Sequence, residues 1–450
     1  MNLSGWHTVA TINESAANAQ LAANLADVLQ DFSYAGTDPI SGMPYKITGT
    51  FGPWKVVPGG SGVYVHMALP LVTGTLAGAG AAHDLAGASV VVNVLLTLLP
   101  AKAGDNTSEL RFAFAEPATS TATAAADLVT GVSCTVPSDK VIEPTVQDAV
   151  VGCLLANGGG VTYVFARIGL LGPGTPSWLV PTHSAFAYQQ PIGAGEGSLA
   201  IFSMTAGVNE PPPLPPGWPY AWLPYRPPAP SLTTLVPTGL ISLTQPLSFA
   251  MASDLFMQFI LLPIMPNVFA NTTAANFTSI AGCGIILVSS FNTASVKYGL
   301  LYYHPSISAL TTTLSANQLT TVVSGSCGLK LTNASVSFTL TFVNGINYDA
   351  GTNSLTFSTE PAPAPVTSQD VPWYDYLEGG LGIGAAIIAI IIKTMFPAIT
   401  NSVVANLSSA ANGIVFTRTA PVPVAWGGLG TFAVKNAEVS DAFFIQGSGS

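Results

Sequence analysis

Charged residues make up only 8% of this 450-residue chain, against roughly 25% in an ordinary soluble protein. That shortage constrains the fold more than any motif does. Helices that face water use Lys and Glu on their outer side, and here Ser, Thr, Ala, Gly and Asn must cover the surface instead. Such residues suit strand faces and turns better. Hydrophobic residues reach 49% and mean hydropathy is +0.49, so apolar side chains have to be hidden in more than one layer. A β-rich α+β fold is expected, with length enough for two or three cores.

Charge excludes some partners. Net charge is −10, with 12 Lys+Arg against 22 Asp+Glu. No basic stripe is available to neutralise phosphates, so no nucleic-acid partner is expected. The cations are scattered along the chain, and Lys46 with Lys55 is among the closest pairs. Any lipid contact should therefore be governed by apolar burial and change little with salt. The opening residues have neither a basic n-region nor an apolar h-region. No Sec-type signal peptide is expected, which leaves the cytoplasm or a non-classical export route.

No catalytic motif of the HExxH, GxSxG, P-loop or strand-associated GxGxxG type occurs. The five histidines lack metal-ligand spacing, and neither a metal nor a cofactor is expected. His83-Asp84 is the one adjacent His–carboxylate pair, in a segment that reads as a loop after Gly78-Ala79-Gly80. Cys134, Cys153, Cys283 and Cys327 show no CxxC spacing. They can form two local disulfides, Cys134 with Cys153 and Cys283 with Cys327, or stand as four buried thiols. Cys327 has no basic neighbour in sequence to lower its pKa and reads as structural.

Periodicity divides the chain into helices and many strands. Ala17, Leu21, Leu25, Val28, Leu29 and Phe32 recur at helical spacing, with Asn13 or Ser15 as cap and Gly36 just past the end. Strand patterns follow at 45–51 and 63–71, with a turn expected at Gly59-Gly60. Residues 88–99 are nearly continuous Val and Leu: a strand covered on both faces, or a buried helix. Further strand patterns lie at 110–115, 161–170, 184–189 and 198–206. Residues 210–230 are rich in proline and cannot join a central sheet. They read as a stiff connection between an N-terminal half, 1–209, and a C-terminal half, 231–450; a ligand for a PPII-reading domain is the other use. The second half shows a strand pattern at 238–243 and a helix at 253–262, led by Leu255, Phe256, Phe259 and Leu262 and ended or kinked by Pro263. Strand patterns follow at 283–289, 295–303, 309–316, 328–331, 335–344 and 354–358, and later at 431–434 and 442–445. Residues 379–399 are the most apolar stretch. They suit a helix enclosed by sheet or a membrane-inserting span.

Some strings carry a resemblance. The chain opens Gly5-Trp6-His7-Thr8-Val9 and then reads Ile47-Thr48-Gly49-Thr50-Phe51-Gly52-Pro53-Trp54-Lys55-Val56-Val57-Pro58-Gly59-Gly60. Weaker stretches follow in order: Leu255-Phe256 through Leu262-Pro263, Ser324-Gly325-Ser326-Cys327, Val424-Ala425-Trp426 and Asp441-Ala442-Phe443. In these the chain resembles the 47-kilodalton accessory proteins encoded beside clostridial neurotoxins and in insecticidal toxin clusters, of the tubular lipid-binding (TULIP) superfamily. The resemblance implies long helices wrapped by strongly curved antiparallel sheets in an elongated body with an apolar groove, and no catalytic residues. It also implies a partner: a phospholipid or fatty acid, or a toxin or other cluster-encoded protein. The present chain is far poorer in Lys and Glu than that family, so a charge-guided partner would not transfer.

Placed on such a fold, the groove candidates are Leu25, Val28, Leu29 and Phe32 from the first helix, Phe256, Phe259 and Leu262 from the second, and Ile388 from the apolar stretch. A groove that takes an acyl chain gains about 0.8 kcal/mol per buried CH₂. The competing reading is that these side chains pack a solid core.

Overall fold

The computed structural model describes residues 3–449 outside 4–5, 39–40, 79–81, 102–106, 115–127, 138, 170–175, 192–194, 206–244, 270, 281–283, 299, 316, 329–334, 350, 352–353, 360–365, 371–422, 430–431 and 440–441. The proline-rich 210–230, the strand pattern at 238–243, the apolar 379–399 with Ile388, and Cys283 lie outside the described residues.

The described chain is strongly β-rich, with curled antiparallel sheet and few helices. Its strands are, in order, β1 (Thr8–Asn13), β2 (Asp31–Thr37), β3 (Pro44–Phe51), β4 (Lys55–Ser61), β5 (Tyr64–Ala77), β6 (Ala82–Asp84), β7 (Ser89–Pro100), β8 (Ser108–Phe112), β9 (Val129–Thr135), β10 (Val164–Ile168), β11 (Pro181–Gln189) and β12 (Ser198–Thr205). Then come β13 (Leu247–Ala252), β14 (Phe277–Ile280), β15 (Gly284–Leu287), β16 (Phe291–Asn292), β17 (Val296–Tyr298), β18 (Leu301–Tyr303), β19 (Ser306–Ser315) and β20 (Gln318–Gly328). The last are β21 (Ser335–Asp349), β22 (Ser354–Thr359), β23 (Val366–Asp370), β24 (Val424–Trp426), β25 (Phe432–Val439) and β26 (Ala442–Gly449). Two compact units result: Thr8–Phe249 with Val422–Phe432 and Gly447–Ser450, and Met1–His7 with Ala250–Pro421 and Ala433–Gln446.

The unit built on Thr8–Phe249 centres on a ten-stranded sheet in the order β2-β3-β5-β7-β8-β10-β24, with β4 and β6 also paired to β5 and β9 to β7. Alternation explains its core face. Val65, Met67, Leu69 and Leu71 of β5 are buried, as are Val90, Val92, Val94 and Leu96 of β7, while the residues between them are mostly half-buried. The Val/Leu run of β7 is therefore a strand, fixed by antiparallel pairing of residues 89–95 with 64–70 of β5. Its second face is less covered than a strand buried on both sides would be.

Three expectations need correction here. The first helix, α1 (Glu14–Ala23), starts where expected, with Asn13 Oδ1 accepting from the Ala16 N–H at 2.9 Å. It stops far short of Phe32. The Asn24 side-chain amide donates to the Gln20 carbonyl at 2.8 Å, closing the last turn, and only a single 3₁₀ turn, Leu25–Asp27, follows. Residues 31–37 then pair along β3, so Phe32 is a strand residue. Gly59-Gly60 do not form the turn but lie in β4, with a register shift between Val57 and Ser61; the left-handed residue between β4 and β5 is Gly62, at φ 62°. Finally, α2 (Glu143–Asn157) was not anticipated, although Val146, Ala149, Val150, Cys153 and Leu154 are buried at helical spacing. It packs against β9 and β2.

Gly49 lies directly across from Gly74 in the β3–β5 register. A Cβ at Gly49 would come within 2.5 Å of the Thr73 carbonyl oxygen and 2.9 Å of Gly74 Cα. Gly49→Ala should therefore cost about 1–3 kcal/mol by forcing backbone apart. Urea unfolding checks this, and an unchanged midpoint would mean that the strands tolerate wider spacing.

In the other unit, an eight-stranded antiparallel sheet runs β14-β15-β19-β20-β21-β22, with β16 on β19 and β23 on β21. The second helical segment spans 253–268, and at Pro263 it changes pitch rather than ending. It begins as α-helix (Ser253–Leu255), widens to a π-helix (Phe256–Leu261), tightens to 3₁₀ (Leu262–Ile264) and closes as α-helix (Met265–Val268). Proline cannot donate to an upstream carbonyl but is accepted at the start of a fresh turn. The changes of pitch put Pro263 and Pro266 at such starts. The pair β17 and β18 forms a separate two-stranded sheet.

Candidate functional site

The groove candidates fall into two sets, one in each unit. In the unit of Thr8–Phe249, Val28 and Phe32 are buried, and Leu25 and Leu29 are half-buried. Phe32 stacks on Phe51 at 4.2 Å between ring centroids. In the other unit Phe256 is buried and stacks on Phe443 at 5.7 Å, while Phe259 and Leu262 are half-buried. The rings of Phe32 and Phe256 are thus engaged in packing. Leu25, Leu29, Phe259 and Leu262 retain exposed surface.

Beside the start of α1 lies a cavity of about 10 Å³, lined by residues that include Ile12, Glu14, Val65, Phe165, Tyr188 and Leu199. That volume holds roughly one water and no acyl chain. Glu14 is a buried carboxylate with two donors: Tyr188 Oη at 3.0 Å and the Gly197 N–H at 3.0 Å. Burial, followed by the Glu14 charge and the bond to it, pushes the Tyr188 phenol well above its usual range. The pair is an anchor between α1 and the β11–β12 hairpin. Sequence offered no signal for it, because its partners are more than a hundred and seventy residues apart.

The string 47–60 supplies the central aromatic cluster. Trp54, 1% exposed, meets Phe51 at 6.1 Å, Phe112 at 5.8 Å and Phe114 at 6.2 Å in edge-on arrangements. Phe112 in turn contacts Tyr163 and Phe165. Phe51 and Trp54, which carried part of the resemblance, are therefore packing residues.

Nucleophile and metal readings find little support. Cys134, Cys153 and Cys327 are free thiols, so Cys134 and Cys153 do not form the local disulfide. Burial and then the Glu143 carboxylate push the Cys134 thiol up to about 11, and burial raises Cys153 and Cys327 as well. Thiols held protonated are poor nucleophiles. His83 and Asp84 sit on the strand β6 and not in a loop: His83 Nδ1 lies 3.2 Å from Asp139, and Asp84 accepts from the Ala86 N–H at 3.0 Å. Among the described residues no group of three or more His, Cys, Asp or Glu could hold a metal, and no helix is long and apolar enough to cross a membrane.

One grouping departs from the scattered cations expected from sequence. Glu109, on β8, accepts from Arg167 Nε of β10 at 2.9 Å and also from Arg111 Nη2. Its side chain is 7% exposed, against 36% for Arg111 and 54% for Arg167. Burial alone would raise the Glu109 pKa, but the bonds from Arg167 and Arg111 outweigh it and hold the carboxyl below its usual range. Both carboxylate oxygens are used, so the triad is a structural clamp between β8 and β10.

The model of the OrfX-like family, described as Protein OrfX2/OrfX3/P47, matches residues 3–217. No curated protein matches the chain in sequence. Two solved structures share its fold over its length. P47 from Clostridium botulinum A2 is 19% identical, with a TM-score of 0.71, covering 100% of this chain and 98% of that one. P47 of Clostridium botulinum E1 is 17% identical, with a TM-score of 0.69, covering 99% of each. A lipopolysaccharide binding protein aligns at a TM-score of 0.27, too low to relate the folds. Residues 3–217, a little under half of the chain, are similar to the OrfX-like family of OrfX2, OrfX3 and P47, and the whole chain has the P47 fold.

Proposed function

We propose that this protein is a non-enzymatic accessory component of a toxin gene cluster that works by binding an apolar ligand, a phospholipid or fatty acid. The family match over residues 3–217 carries the accessory reading. The protonated thiols and the structural use of Glu14, Glu109 and His83 speak for binding rather than catalysis. Within each unit, ligand contact falls to the apolar side chains that packing leaves half-covered, Leu25 and Leu29 in one and Phe259 and Leu262 in the other; Ile388 stays a candidate from its sequence alone. The tubular lipid-binding architecture, with two halves joined at 210–230, belongs to this proposal. A cluster-encoded toxin is the other partner that the family implies.

Native mass spectrometry of the purified protein, with and without added phospholipid, tests the reading. A bound species whose mass matches extracted lipid is the expected result. Protein that stays empty across phospholipids and fatty acids would leave the protein-partner role in its place.

A further inference from the structure

The β17–β18 hairpin exposes the most solvated large apolar side chain of the described residues. Leu300 is 95% exposed at its tip, and Tyr302 is 50% exposed beside it. Lys297 lies directly across from Tyr302 in the register, its ammonium 5.7 Å from the ring centroid. The hairpin is not a loose loop. The cross-strand pair Val296 and Tyr303 is buried at its base, and the Thr293 N–H donates to the Pro305 carbonyl at 2.9 Å just below. A two-stranded sheet standing alone is marginal, so the buried base holds the form while the tip stays uncovered. Val288, 55% exposed, follows β15 toward the end of β19 from which the hairpin departs.

Charge around the hairpin is also distinctive. The chain carries 22 Asp+Glu, yet none lies between Asp254 and Asp349. This stretch holds Lys297, Lys330 and His304 as its basic residues. A hairpin whose own stretch of chain holds no carboxylate brings none of its own to lipid headgroups, even though the whole chain has a net charge of −10.

We infer that the β17–β18 hairpin is a membrane-docking tip: Leu300 enters the acyl boundary of a lipid surface while Tyr302 and Lys297 sit at headgroup depth. Tyr and Lys both pair an apolar body with a polar end and favour that depth. A protein partner fits less well. A stable interface buries roughly 800 Å² on each side, far more than one leucine and half a tyrosine provide, whereas a bilayer accepts a narrow wedge. The inference extends the lipid-binding reading from carrying a ligand to meeting a membrane, and either can fail without the other.

The test is flotation of the full-length protein with vesicles of phosphatidylcholine, and of an equal phosphatidylcholine–phosphatidylserine mixture. Wild type, Leu300→Asp, Leu300→Ser and Lys297→Glu would be compared, with native mass spectrometry of each. Wild type should float with both vesicles, Leu300→Asp should lose at least tenfold in bound fraction, and Leu300→Ser should lose less. Lys297→Glu should weaken binding to the mixed vesicles more than to phosphatidylcholine alone. Thermal melting should be unchanged in both Leu300 variants, since that side chain touches almost nothing. If Leu300→Asp floats as well as wild type, or wild type does not float at all, the docking tip is wrong, whether or not lipid is carried. If wild type floats through Leu300 yet is always empty by mass spectrometry, docking stands and the ligand-carrying role falls.

Discussion

Trp54→Ala should destabilise the protein by about 3–5 kcal/mol, the range for removing a large aromatic from a packed core. Trp54 is 1% exposed and meets Phe51, Phe112 and Phe114 edge-on. Its removal leaves a cavity bounded by rings held on β3, on β8 and just past it, which cannot close without moving the sheet. Trp54→Phe should recover most of the loss. The indole Nε1 is buried with no hydrogen-bond partner among the described residues, so phenylalanine forfeits volume but no bond. Urea unfolding of the three proteins would show the order wild type, Trp54→Phe, Trp54→Ala. An alanine variant within about 1 kcal/mol of wild type would mean that the cluster is loosely packed.

Glu109→Gln should cost about 2 kcal/mol at neutral pH. Removing one partner of a buried ion pair costs about 3–5 kcal/mol, but here both arginines are more than a third exposed and water offsets part of the loss. The pH dependence gives a second readout. The folded carboxyl titrates below its unfolded value, so in the intervening range the unfolded chain binds more protons, and stability rises with pH. The contribution of Glu109 is complete above the unfolded value, roughly pH 4.3, and is lost as pH falls through the folded one. The stability gap between wild type and Glu109→Gln should accordingly be constant from about pH 6 to 8 and shrink as pH falls below about 4. A gap that stays constant in acid would show that Glu109 acts through packing rather than charge.

Strand positions were the most legible part of this sequence. The alternation at 63–71 places Val65, Met67 and Leu69 on one face, and β5 buries that face. Even so, the valine run at 88–99 fitted a strand or a helix, since a short apolar run has no period of its own; pairing with β5 decided it. Helix α2 was not anticipated although Val146, Ala149, Val150, Cys153 and Leu154 have helical spacing, because Val151, Gly152 and Leu155 between them blur the contrast of faces. The first helix was read too long because Leu25, Val28, Leu29 and Phe32 continue a helical spacing that competes with β2. Intrinsic helix preference differs by tenths of a kcal/mol per residue, too little to resist a strand that can pair along its whole length with β3.

The groove candidates show the same limit. Helical periodicity grouped Phe32 with Leu25 and Leu29, whereas the fold turns Phe32 against Phe51 and leaves the two leucines half-covered. At the β17–β18 hairpin, the missing carboxylates between Asp254 and Asp349 are plain in the sequence, but exposure of Leu300 over a buried base is not.

By itself, then, the sequence determined that the chain is β-rich and which side chains of β5 face its core; the long wrapped helices implied by the resemblance are not found among the described residues. A chain with so few charges must clothe itself in strands, and alternation within each strand is a local property with a period of two residues. The tertiary structure decided which residues meet: Glu109 with Arg167, 58 positions away, and Glu14 with Tyr188, 174 away. Strand order and register set those meetings, and both come from the packing of the whole sheet, in which each pairing competes with every other, so no local window of sequence encodes them.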